Sequence, residues 1–199
     1  MRSSHFRSIG AMLLALGLTA CGGKATFDVS GVITGLSFNH LVLANGSDTV
    51  SPVANATSFT FPHQIDYGTA FNIVVQTPPD HQACVVTGGT GSAGHTAAIA
   101  ATLTCVTNAL ALSGTVTGLT GTGLVLINGS VLAPVSVAPV TPTADVPFAF
   151  ANVTYGNTYG VTVVDPSGQH CTVQNGSGTM TDAGVTNVLV TCVAVTPPP

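Results

Sequence analysis

Ser30-Gly31-Val32-Ile33-Thr34-Gly35-Leu36 returns further along the chain as Ser113-Gly114-Thr115-Val116-Thr117-Gly118-Leu119. Other blocks repeat in the same order. Leu41-Val42-Leu43-Ala44-Asn45-Gly46-Ser47 matches Leu124-Val125-Leu126-Ile127-Asn128-Gly129-Ser130. Phe59-Thr60-Phe61 matches Phe148-Ala149-Phe150, and Tyr67-Gly68 matches Tyr155-Gly156. Phe71-Asn72-Ile73-Val74-Val75 matches Tyr159-Gly160-Val161-Thr162-Val163. The offset is 83 residues at the first blocks, 89 at the phenylalanines and 87 at the cysteines, so insertions and deletions fall between them. An internal repeat sets the architecture before any local motif does. Residues 25–107 and 108–195 therefore read as two tandem modules, followed by a stiff extended tail over 196–199.

Each module reads as all-β. Phe27, Val29 and Gly31 alternate with polar residues, as do Val161 and Val163. Thr and Val are abundant and fit a pleated surface better than a helix. Asn45-Gly46 and Asn128-Gly129 follow apolar runs and signal short turns. The mature chain carries no sustained helical period with caps. Strand-like pieces recur about every 8–12 residues, which predicts about seven strands per module packed as a two-sheet sandwich.

Charge is scarce. The chain has 199 residues with 3 Lys plus Arg and 7 Asp plus Glu, so 5% are charged, against 45% hydrophobic. A soluble protein usually carries about 25% charged residues. Nucleic-acid surfaces and phosphate clamps need clustered Lys and Arg, so partners of those classes are not expected. Arg2, Arg7 and Lys24 are the only such residues, and none lies within either module.

The opening segment, MRSSHFRSIGAMLLALGLTA over 1–20, has a basic start and an apolar run from Ile9 to Leu18. That run is too short to span a bilayer, which takes ~20 residues, and it has secretory-signal architecture. Leu18-Thr19-Ala20-Cys21 follows. It resembles the lipobox of bacterial lipoproteins at each of its four positions. The resemblance implies diacylglycerol transfer to the Cys21 thiol, cleavage before Cys21 and acylation of the new amino terminus. Residues 21–24 would then be a lipidated end and short tether. Stable anchoring takes more than one acyl chain, and lipoprotein maturation would supply them. Gly22, with no Asp at that position, implies the outer membrane if the host is Gram-negative.

The order of blocks within each module (Ser-Gly-x-Val/Ile-x-Gly-Leu, then Phe-x-Phe, then Tyr-Gly before an aromatic strand) is similar to immunoglobulin-like and carboxypeptidase-regulatory-like sandwiches. These occur as tandem repeats in bacterial surface proteins. Collagen-adhesin B-type domains, with their Lys–Asn or Lys–Asp isopeptide crosslinks, fit poorly: the chain has no Glu, and Lys24 precedes the first module.

Five cysteines make an odd count, and lipidation would account for Cys21. The remaining four permit three pairings. Cys84 and Cys105 are 21 apart, as are Cys171 and Cys192. Repeat symmetry favours one bridge per module, which is a structural role suited to an exported chain. A redox pair would want Cys-x-x-Cys, which the chain lacks.

Other candidate chemistry meets a plainer alternative each time. Gly89-Thr90-Gly91-Ser92-Ala93-Gly94 matches GxGxxG, but a strand follows it rather than a helix, and no acidic residue lies about 20 positions on. It reads as a loop between the cysteine strands rather than a nucleotide site. His40, His63, His81 and His95 fall in the first module and His170 in the second, without metal-site spacing. The aspartates show no Asp-x-Asp pattern, and no serine has a Gly-x-Ser-x-Gly setting. Phe59, Phe61, Phe148 and Phe150 read as core. Tyr67 and Tyr155 read as hydrogen-bonded corner tyrosines, with ligand stacking the lesser reading.

The sequence thus leads to a non-catalytic, lipid-anchored envelope protein without cofactor or metal. It would act as a spacer or protein-interaction module, with loops 88–95 and 175–184 as the usual binding places. The alternative is a metal-dependent binder or enzyme built on His40, His63, His81 and His95, which requires those imidazoles to converge.

Overall fold

The computed structural model describes residues 24–95, 98–129, 135–139 and 145–195. The expected signal segment 1–20, Cys21 and the tail 196–199 lie outside the described residues. The first module runs β1 (Thr26–Phe27), β2 (Val29–Thr34), β3 (Val42–Asn45), β4 (Asp48–Val50) and β5 (Ser58–Thr60). It continues β6 (Ile65–Asp66), β7 (Ala70–Thr77), β8 (Gln82–Thr87), β9 (Thr90–Ser92) and β10 (Ile99–Thr107). The second runs β11 (Ala109–Leu110), β12 (Leu112–Thr117), β13 (Leu124–Asn128), β14 (Val135–Val137) and β15 (Val146–Ala149). Then come β16 (Val153–Thr154), β17 (Thr158–Val164), β18 (Gln169–Gln174), β19 (Ser177–Thr179) and β20 (Val185–Ala194).

The chain is all-β, with two tandem sandwich modules of matching topology. The first has sheets ordered β5-β2-β10-β8 and β4-β3-β7-β9, and the second has β15-β12-β20-β18 and β14-β13-β17-β19. A two-stranded ribbon, β1-β6 or β11-β16, completes each. Strands number more than the seven anticipated because β1, β4, β6 and β9 are two or three residues long. Pieces that short carry no alternation to read. The segments expected as loops near 88–95 and 175–184 likewise contain edge strands: β9 pairs with β7 and β19 with β17.

Within each module the second and last strands lie parallel: β2 with β10, and β12 with β20. A parallel pair needs a long crossover, and here the rest of the module supplies it. Alternation then fills the core. In β2, Val29, Gly31 and Ile33 are buried while Val32 and Thr34 are exposed. One cluster gathers Val29, Ile33, Leu43, Phe59, Phe61, Ile73 and Leu103. Its counterpart gathers Leu112, Val116, Leu126, Phe148, Phe150, Val161 and Val190. The four phenylalanines are core residues, each pair packed edge to face with centroids 5.9 and 5.8 Å apart.

The repeated Ser-Gly and Phe-x-Phe blocks are physically coupled. Gly31 lies opposite Phe59 across β2 and β5, and Gly114 opposite Phe148 across β12 and β15. A Cβ at either glycine would strike the opposed ring and the carbonyl of the parallel strand. The ring therefore lies flat over the strand only because the side chain beneath it is missing.

Candidate functional site

Both disulfides form, Cys84–Cys105 and Cys171–Cys192. Each joins directly opposed residues of neighbouring antiparallel strands, β8 with β10 and β18 with β20. Each bridge therefore staples one sheet rather than crossing between two, unlike the inter-sheet bridge of antibody domains.

Sequence reasoning missed a pair of glutamines two residues before the first cysteine of each module. Gln82 and Gln169 are buried. The Gln82 Oε1 accepts from the backbone N–H of Ser37 at 2.8 Å and of Phe38 at 3.2 Å, and its Nε2 donates to the Gly35 carbonyl at 2.7 Å. Gln169 repeats the set with Thr120, Gly121 and Gly118. This turn needs a left-handed residue, and Gly35 and Gly118 provide it at φ 79° and 70°. The matched Gln-x-Cys spacing was the available signal.

The histidines do not gather. His40 Nδ1 lies 2.8 Å from Asp80, His63 Nδ1 3.1 Å from Asp48 and His170 Nδ1 2.7 Å from Asp165. His81 pairs with Asp182 of the second module, its Nδ1 2.8 and 2.9 Å from the two carboxylate oxygens. Among the described residues no group of three or more His, Cys, Asp or Glu side chains is placed to hold a metal ion. The Asp165 carboxyl is held below the usual carboxylate range, chiefly by the His170 side chain and then by the Cys171 N–H. GxGxxG does not form a phosphate cradle, since Gly91 packs under the Phe71 ring inside β9.

The described grooves differ in lining: one is mainly apolar, with Leu41, Val42, Pro52 and Val53 beside His40, and others are mainly polar. One of 530 Å³ is lined by Asn128, Asn152, Asn157 and Tyr159 among others. Asn128 already accepts the Gly160 N–H, and Asn152 donates to the Ala109 carbonyl. Asn45 accepts the Asn72 N–H in the same way in the first module, so the contact belongs to the fold.

The most distinctive constellation is the joint between modules. Asn108 alone separates β10 from β11. Its N–H donates to the His81 carbonyl and its carbonyl accepts the Tyr155 N–H, both at 2.8 Å. The His81 ring stacks on Tyr155 with centroids 3.7 Å apart and planes 8° from parallel. Phe38 meets both rings edge-on at 5.2 and 6.0 Å. His81 holds a left-handed backbone at φ 54°, which aims its ring across the boundary. Tyr155 thus works through its ring, in contrast to the corner hydroxyl anticipated for it. No family model matches the sequence, and a search of curated proteins finds no match.

Proposed function

We propose that the protein is a non-catalytic, membrane-anchored lipoprotein whose two sandwich modules form a spacer that carries an interaction surface away from the bilayer. The observation that carries this reading is the joint. A one-residue linker, hydrogen-bonded to both modules and capped by Phe38, His81, Tyr155 and Asp182, suits a strut better than a hinge. The lipobox-like Leu18-Thr19-Ala20-Cys21 supports the anchor, and the two bridges suit an oxidising compartment outside the cytoplasm. Among the described residues the His–Asp pairs stay dispersed, which favours this reading over a metal-dependent binder built on them.

Labelled palmitate fed to cells expressing the full chain tests the anchor. Incorporation into the wild type and its loss in Cys21→Ala is the expected result. Equal labelling of both, or none in either, overturns it.

A further inference from the structure

Repeat equivalence identifies a contact face on the first module that the joint leaves unused. Tyr155 receives the preceding module on its ring, and its N–H is bonded to Asn108, the residue that enters the second module. Tyr67 holds the same place in the first module. Its N–H donates to the Ala25 carbonyl at 2.9 Å, and β1 pairs with β6 beside it as β11 pairs with β16. The ring is propped by Gly94 beneath it and by Phe27 at 6.4 Å, yet Tyr67 is 66% exposed. The second module receives the first module at this pole. In the first module, Ala25, whose carbonyl accepts the Tyr67 N–H, stands four residues after Cys21 in the sequence.

We propose that the Tyr67 pole rests on the lipid interface of the membrane that holds the anchor, an inference that depends on the lipoprotein reading of Cys21. Length bounds it. Four residues reach at most about 14 Å fully extended, and the headgroup layer takes about 6 Å of that, so the tether keeps the pole within about 8 Å of the interface. Chemistry agrees. A tyrosine offers an apolar ring with a polar tip, the combination that settles at headgroup depth. Lys24, 3.7 Å from Asp66, offsets a carboxylate at this pole, and exposed His95 follows the same Ala93 turn. Asp28 nearby accepts from the uncharged Gln64 amide and keeps its charge, so Lys24, Asp66 and Asp28 leave the face at a formal 1 − 2 = −1, which fits zwitterionic lipid better than anionic lipid.

The chain has no Trp, so Tyr67→Trp creates a single fluorescent reporter. Val195→Trp places one at the far end of the second module, where the Val195 N–H bonds to Gly168. Each full-length variant is expressed in bacteria, purified from membranes and reconstituted into phosphatidylcholine vesicles carrying a nitroxide label near the headgroup. Mass spectrometry of the amino-terminal peptide reads acylation of Cys21. The expected result is a blue shift and loss of emission for Tyr67→Trp, with Val195→Trp emission unchanged by the label. Acylated protein with equal, absent or lipid-independent quenching at Tyr67→Trp overturns the membrane contact alone. A blue shift without quenching, growing with protein concentration, assigns the face to a second copy and also overturns it. Unacylated Cys21 overturns the anchor and the contact together. Should Tyr67→Trp fail to fold, His95→Trp reports on the same pole.

Discussion

Gln82 shows how much one side chain does in a protein with so little charge. It satisfies two backbone N–H groups and one carbonyl in a turn whose shape depends on Gly35. Removing it leaves those groups to find water in a partly buried place, which costs about 1–3 kcal/mol. Gln82→Leu keeps the bulk and Gln82→Ala does not, so comparable losses for both in urea denaturation would assign the effect to the hydrogen bonds. A loss confined to Gln82→Ala would assign it to packing. Asp165 makes the complementary case. Its lowered folded pKa means that the unfolded chain takes up its proton first as pH falls. The contribution is therefore present above the ordinary carboxylate value of 3.8 and disappears as pH drops through the lower folded value. Denaturation of the wild type and Asp165→Asn across the acid range should show curves that converge below that point and separate above it. Curves that run parallel throughout would mean that ionisation of the Asp165 carboxyl adds nothing to stability. The group is solvent-exposed, so the separation should be small.

At the scale of elements, the repeat made most of the fold legible. The alternation in β2 and β12, the Asn-Gly-Ser turn before β4 and the paired phenylalanines all correspond to what their residues imply. Three things were not legible. The two- and three-residue strands have too few side chains to alternate. The parallel pairing of β2 with β10 joins residues about seventy positions apart and leaves no local trace. The joint needs His81 and Tyr155 to meet from different modules, and neither residue looks unusual on its own. The cysteines were legible through symmetry, and they carry an element-scale prediction. A bridge between strands 21 residues apart removes loop entropy from the unfolded chain worth about 3 kcal/mol. Changing both Cys84 and Cys105 to Ala should lower the calorimetric transition of the first module by that order while Cys171–Cys192 still supports the second. No shift at all would mean that the β8–β10 ladder alone holds these strands.

The whole molecule turns on whether its modules behave as one body. The joint is not a repeatable contact. In the second module, Gly121 and Gly168 occupy the places of Phe38 and His81, as the matching Gln169 and Gln82 hydrogen bonds show. A further module could not dock there by the same ring stacking, so the aromatic joint serves this one boundary. Its energy should come mainly from the rings. A stacked aromatic pair contributes about 0.5–1.5 kcal/mol beyond its buried area, whereas an ion pair with an exposed partner adds about 0–1 kcal/mol and only when His81 is protonated. Asp182→Asn should therefore disturb the joint less than His81→Ala or Tyr155→Ala. A double-mutant cycle on His81 and Tyr155 should give a coupling near the stacking value. Small-angle scattering supplies the independent readout. The wild type should have a single narrow distribution of intramolecular distances, and His81→Ala should broaden it without changing either module's secondary structure. An unchanged distribution in His81→Ala would show that Asn108 and its two backbone hydrogen bonds hold the modules in line by themselves, leaving the aromatic cluster no part in the strut.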